Sequence, residues 1–129
     1  MIDKDIEQEI QAKGLTAPRV TPQHIEEVIA SEHYFTAGQG VSGYVSSRDQ
    51  QPDQFCYERS LDMLTFCVLV LKNGFTVTGE SACASPENFD AEIGRKIARE
   101  NAVNKVWMLE GYLLKQKLHD NKYIQLPTS

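Results

Sequence analysis

The stretch LTFCVLVLKNGFTVTGESACASPENFD, residues 64–90, decides the fold. Residues 64–71 are rich in branched and aromatic side chains, which are enriched in strands. Asn73 and Gly74 follow, flanked by Lys72 and Phe75. Asn-Gly accepts the positive backbone angles of a two-residue type I′ turn, so the segment predicts an antiparallel hairpin. Such a turn pairs Lys72 with Phe75, Val70 with Val77, Val68 with Gly79, Phe66 with Ser81 and Cys67 with Glu80. Side chains alternate along a strand, which predicts a buried face of Phe66, Val68, Val70, Phe75, Val77 and Gly79. The other face then carries Cys67, Leu69 and Leu71 beside Thr76, Thr78 and Glu80. A hairpin is marginal alone, so the strip of Leu69 and Leu71 requires a third strand, a helix or a second subunit. Gly79 leaves a shallow place where another backbone can approach closely.

Downstream, Ser85 is the expected N-cap and Pro86 the first helical residue. The helix is expected to run from Pro86 to about His119. Glu87, Asp90 and Glu92 suit its positive end, and Lys115, Lys117 and His119 its negative end. At helical spacing Phe89, Ile93, Ile97, Trp107, Met108, Leu114 and Leu118 form one stripe around Gly111. Ala102, Val106, Leu109 and Leu113 fall on nearly the opposite side. A helix apolar on both sides is buried on both sides, and the second face is expected to meet another copy in a dimer or higher oligomer.

Glu100, Asn101 and Asn104 fall within or at the edge of the first stripe. Unpaired buried polar groups cost roughly 1–3 kcal/mol each, so these three need partners. One reading is a structural network tying the helix to the hairpin. The other is a pocket shared with Glu80, Ser81 and the helix start at Ser85, reading the donors and acceptors of a small polar ligand. Arg95 and Arg99 lie four residues apart on one side of the same helix. They fit a solvated ion-pairing face or, in an oligomer, an anion-binding surface.

Upstream, residues 1–20 read as a tail or a short helix with Ile2, Ile6 and Ile10 spaced by four and Gly14 as its stop. TPQHIEEVIASEHYF, residues 21–35, predicts a helix capped by Thr21 and ending near Tyr34. Residues 36–60 predict a mobile loop. Gly38, Gly40 and Gly43 lack the preceding strand and following Lys of a phosphate loop. The expected fold class is α+β: an N-terminal helix, an antiparallel hairpin or small sheet, and a long C-terminal helix packed on it, within one domain over 21–129.

The chain has 129 residues, a net charge of −5 and three cysteines. The acidic balance disfavours nucleic acid as a partner. No apolar run approaches the ~20 residues of a membrane span. The N-terminus lacks the basic and apolar regions of a signal peptide. Cys56, Cys67 and Cys83 form no CxxC pair, and His24, His33 and His119 are scattered, so neither a disulfide framework, a metal site nor a cofactor is expected. Cys83 near a helix start, with Glu80 as base, would allow a small enzyme, but no His lies in the hairpin–helix unit and a buried thiol is the simpler reading.

Residues 65–118, with the motifs NGF, GESAC, NFD, IG, A-x-x-NA, K-x-W and EGY-x-LK, resemble a small tailed-phage protein family named after members in coliphage N-four and Shigella phage Sf-six. SEHYFTAGQGV, residues 31–41, resembles the N-terminal block of the same family. The resemblance implies a phage or prophage accessory gene expressed in the host bacterial cytoplasm, and no catalytic residue set. With the residue reading, it leads to an expected non-enzymatic protein that counters host defence by binding. In its concrete form, an oligomer sequesters a nucleotide-derived immune signal, with Glu80, Ser81, Asn101 and Asn104 on sugar or base and Arg95 or Arg99 on phosphate. The alternative is an inhibitor of a host defence or metabolic protein.

Overall fold

The computed structural model describes residues 4–15, 17–48 and 57–124. Along the chain run α1 (Lys4–Ala12), α2 (Pro22–Val28), β1 (Ile29–Thr36), α3 (Ala37–Ser46), β2 (Leu64–Leu71), β3 (Thr76–Ala82) and α4 (Ala91–Ile124). Short 3-10 turns at Arg59–Met63 and Pro86–Asn88 lead into β2 and α4. The architecture is α+β. An antiparallel sheet in the order β1-β2-β3 carries the long C-terminal helix on one face.

The hairpin forms, but its turn differs from the expected one. Leu71 N donates to Phe75 O at 2.8 Å, and Gly74 N donates to Leu71 O at 2.8 Å. Gly74 has φ of 90°, and among the described residues no non-glycine residue has positive φ. A type I′ turn needs positive φ at both central residues, and Asn73 does not supply it. Instead Asn73 Oδ1 accepts from Phe75 N at 2.9 Å, and Lys72, Asn73 and Gly74 make a three-residue loop closed by a left-handed glycine. The pairing therefore slips by one residue. Leu69 faces Val77, Cys67 faces Gly79 and Phe66 faces Glu80.

A one-residue slip turns a strand's face over. On β2 the buried side chains are Thr65, Cys67, Leu69 and Leu71, not the expected Phe66, Val68 and Val70. On β3 the buried positions are Val77 and Gly79, as expected. The face opposite the helix carries Phe66 beside Phe35, whose rings stack with centroids 5.6 Å apart.

α4 buries the side of Gly94, Ala98, Ala102, Val103 and Val106, with Trp107 and Leu109 packed alongside. Of the larger stripe expected to face the core, Trp107 packs against it, but Ile93, Ile97 and Met108 face out at 54%, 45% and 76% exposure. Glu100, Asn101 and Asn104 are exposed too, so they carry no burial cost. Small residues win this face because the sheet offers Gly79. An added Cβ there would collide with the backbone of Ala98 and Ala102. Backbone-to-backbone approach excludes the large side chains from the contact and admits Ala and Gly.

The cap of α4 is also shifted. Asp90 Oδ1 accepts from Ile93 N at 3.1 Å, while Ser85 makes no side-chain cap bond. Pro86–Asn88 is only a 3-10 turn, and the α-helix starts five residues later than Pro86, at Ala91.

The segment expected as one helix over 21–34 divides. Thr21 caps α2 as expected, accepting from His24 N at 3.1 Å. From Ile29 the chain pairs with β2 instead, supplying the third strand that Leu69 and Leu71 require. Glu32 and Tyr34, opposite Leu69 and Cys67, lie on the helix side. The expected loop over 36–60 contains α3, entered through a capping box in which Thr36 Oγ1 accepts from Gln39 N and Thr36 N donates to Gln39 Oε1. Residues 49–56 of that loop, with Cys56, and Ile2 of the first helix lie outside the described residues. α1 ends at Ala12, just before Gly14, whose φ is 68°.

α2 sits against α4. Ile25 is fully buried, a placement worth roughly 1.5–3 kcal/mol of apolar burial. His24 Nε2 lies 3.0 Å from Glu110 Oε2.

Candidate functional site

The residues singled out in the sequence separate into three places. Glu80 and Asn101 meet, but through the backbone: Asn101 Nδ2 donates to the Glu80 carbonyl at 2.7 Å. The Glu80 carboxylate points to the open face of the sheet, where Thr78 Oγ1 lies 3.5 Å away. Asn104 is exposed, and Ser81 lies beside Cys83 and Phe89 in a separate hollow. These groups do not form one pocket. Asn101 serves the first of the two readings, a bond tying helix to hairpin, at the cost of no buried surface.

Arg99 is already occupied. Its Nε donates to Glu32 Oε2 at 2.9 Å and its Nη2 to Glu26 Oε2 at 2.8 Å. That hydrogen bond holds the Glu32 carboxyl below its ordinary range, assisted by the Tyr34 hydroxyl donating at 2.8 Å. Burial, and then the bond to Glu32, pushes the Tyr34 phenol up. Cys67, beneath it at 0% exposure, has its thiol pushed up chiefly by burial. Two carboxylates on one guanidinium leave no net positive charge for an external anion.

Arg95, one turn earlier on α4, has no ion-pair partner among the described residues. It lines a cleft of about 220 Å³ with Tyr34, Phe35, Thr36, Gln39, Thr65, Phe89 and Ala91. Each wall has a local cause. β1 runs into α3 at Thr36, so the capping box fixes Thr36 and Gln39 at the rim. With Gln39 Oε1 committed to the Thr36 N–H, its amide Nε2 is left as a donor. Thr65 is 3% exposed, and its side chain makes no hydrogen bond among the described residues. Among the described residues no enclosed side-chain oxygen or nitrogen lacks a partner, and Thr65 lines the cleft. Phe89 supplies apolar surface, and Ala91 brings the first turn of α4. The positive end of that helix favours an anion, partly offset by its own Asp90 cap.

The cleft can therefore do one thing well: hold an anionic group on Arg95 with hydroxyl and amide donors nearby, and apolar ring surface beside it. Thr65, Thr36, Gln39 and Phe35 were not legible as site residues. Their relevance arises from β1 pairing beside β2, which a helical reading of residues 29–34 conceals. Among the described residues no group of three His, Cys, Asp or Glu side chains is placed to hold a metal. No helix there is long and apolar enough to cross a membrane.

Comparison with models of protein families matches residues 20–118 to the family described as phage protein (N4 Gp49/phage Sf6 gene 66). No curated protein and no solved structure matches the chain.

Proposed function

We propose, because the chain belongs to the phage protein (N4 Gp49/phage Sf6 gene 66) family, that it is a phage accessory protein that counters host defence by binding. It acts in the cytoplasm of the infected bacterium, where it sequesters a nucleotide-derived immune signal and does not transform it. The observation that carries this reading is Arg95, without an ion-pair partner among the described residues, beside a cleft with Phe89 on its wall and the Thr65 side chain lining it. A phosphate would sit on Arg95, a ribose hydroxyl on Thr65 or the Gln39 amide, and a base against a ring. At about 220 Å³ the cleft is below the usual ~300–1,000 Å³ of drug-sized pockets, so it suits one nucleotide unit of a larger signal.

This assignment narrows the set suggested by the sequence. Arg95 stays in it, Arg99 is neutralised by Glu26 and Glu32, and Glu80, Ser81, Asn101 and Asn104 lie elsewhere. The test is thermal melting of purified protein against cyclic dinucleotides and ADP-ribose derivatives. A ligand at a hundred times its dissociation constant stabilises by about 2.7 kcal/mol, a readily measured rise in melting temperature. The rise should vanish in Arg95→Ala and survive in Asn104→Ala. No rise across the panel, or one indifferent to Arg95→Ala, refutes the reading.

A further inference from the structure

The Arg95 cleft offers an anion a single positive charge. Among its lining residues Arg95 is the one cation, and no carboxylate lines it. The charges around it are committed. Lys96, the next residue on α4, pairs with Glu92 at 3.3 Å. The Asp90 carboxylate accepts from Ile93 N at 3.1 Å, so the positive end of the helix already meets a negative charge. One turn along α4, Glu26 and Glu32 set two carboxylates against the guanidinium of Arg99, which leaves one negative charge in excess.

That balance decides which phosphate fits. The cost of taking an ion out of water grows as the square of its charge, whereas its attraction to one fixed charge grows only in proportion. A terminal phosphate monoester carries about −1.5 to −2 charge at neutral pH, with three strong acceptor oxygens. Relative to a singly charged group, a doubly charged one about doubles the attraction to Arg95 and about quadruples the desolvation cost. Its second charge also meets the excess carboxylates at Asp90 and beside Arg99. A phosphodiester carries one charge and two free oxygens, and the planar fork of a guanidinium matches two oxygens. The remaining polar lining is neutral: the Gln39 amide is left as a donor, and Thr36 and Thr65 add no charge.

We infer that the cleft selects a singly charged phosphodiester, the linkage of a cyclic nucleotide, over a terminal phosphate or a pyrophosphate. Gln39, a neutral residue on the rim, is the position that keeps the charge at one. The inference rests on the nucleotide reading of the cleft and narrows it. Among the ligands of the melting test, cyclic dinucleotides are favoured over ADP-ribose derivatives. The pyrophosphate of the latter brings two adjacent charges to a cleft that balances one.

Titration calorimetry of the full chain with adenosine 3′,5′-cyclic monophosphate and with adenosine 5′-monophosphate tests this, because the two share a base and differ in the ester. At about pH 8, well above the monoester's second pKa of about 6, the cyclic ester should bind about tenfold tighter or more. At about pH 5 the monoester is singly charged, and the ratio should fall toward one. The cyclic ester keeps one charge throughout and so controls for titration of the protein's own groups. Gln39→Lys, at an exposed position, adds a second cation to the rim and should narrow or invert the preference at the higher pH. Arg95→Ala should lose both ligands. Equal affinities at the higher pH, both lost in Arg95→Ala, overturn the charge selection and leave the nucleotide reading standing. A preference that is the same at both pH values, or unchanged in a folded Gln39→Lys, overturns the selection equally. If neither ester binds in a way that depends on Arg95, the nucleotide reading falls with it. Should Gln39→Lys fail to fold by circular dichroism, the two pH values on the wild type decide.

Discussion

Gly79→Ala tests the contact on which the fold turns. A Cβ at residue 79 would fall far inside van der Waals distance of Ala98 O and Ala102 N, and 2.9 Å from Ala102 Cα. All three atoms are backbone, so no rotamer change relieves the clash. The helix must lift from β3 along its buried Ala98–Val106 segment, opening space beside Leu69 and Val77. Overpacking of this kind costs typically 1–3 kcal/mol, and rigid neighbours place Gly79 at the upper end, about 3 kcal/mol. At roughly 4 °C per kcal/mol for a domain of this size, the melting temperature should fall by about 12 °C. Gly111→Ala is the control, since an added Cβ there meets nothing within 4 Å inside α4. It should stabilise by up to about 1 kcal/mol through helix propensity. Both variants are to be melted at one fixed protein concentration, because association shifts the apparent midpoint. A Gly79→Ala protein that melts with or above the wild type would refute the close-approach account of the helix–sheet interface.

Other consequences are smaller but as specific. Asp90→Ala should lose about 1 kcal/mol in chemical denaturation by removing the Ile93 cap bond, whereas Ser85→Ala, which has no cap bond to lose, should be near neutral. The Glu32 carboxyl is held below its ordinary value of 4.5 by Arg99, so the stability it contributes is present above that pH and lost as pH falls through the lowered folded value. In Arg99→Gln, denaturation measured from neutral pH down through that range should show a shallower acid loss than wild type. Glu7, lowered likewise by Arg19, keeps its own part of the slope in both proteins. In a Cys56→Ser background, a thiol reagent should label the partly exposed Cys83 readily and Cys67 only on unfolding, because Cys67 is fully buried and its thiol is pushed up. Equal labelling rates for the two would contradict the packing of β2 against α4.

Local chemistry made much of this legible. The Thr21 cap, the stop at Gly14, the hairpin at residues 64–82 and one long C-terminal helix all follow from residue preferences that act over a few positions. The single error at Asn73 propagated furthest. Asn-Gly fits a type I′ turn and equally the end of a three-residue loop, and choosing the first inverted the face of β2. With Leu69 assigned outward, nothing demanded small residues on the helix, and the large stripe of Ile93, Ile97 and Met108 looked like the core. The polar trio then looked misplaced, although Glu100, Asn101 and Asn104 simply lie on an exposed face. In the same way, IASEHYF was read as helical, yet it pairs with β2 because that pairing satisfies an entire backbone edge, a gain no window of the segment reveals.

Of the candidate site, the sequence determined that Arg95 and Arg99 share one side of α4. Only the tertiary structure decided that they differ. Arg99 lies under β1 and α2, which deliver Glu32 and Glu26 to it, and Arg95 one turn away faces the mouth between Thr36 and Thr65 with its charge uncompensated. Spacing along one helix is a local property set by 3.6 residues per turn. The charge that meets each residue comes from strands and helices up to 73 positions distant in the chain, and is set by how they pack.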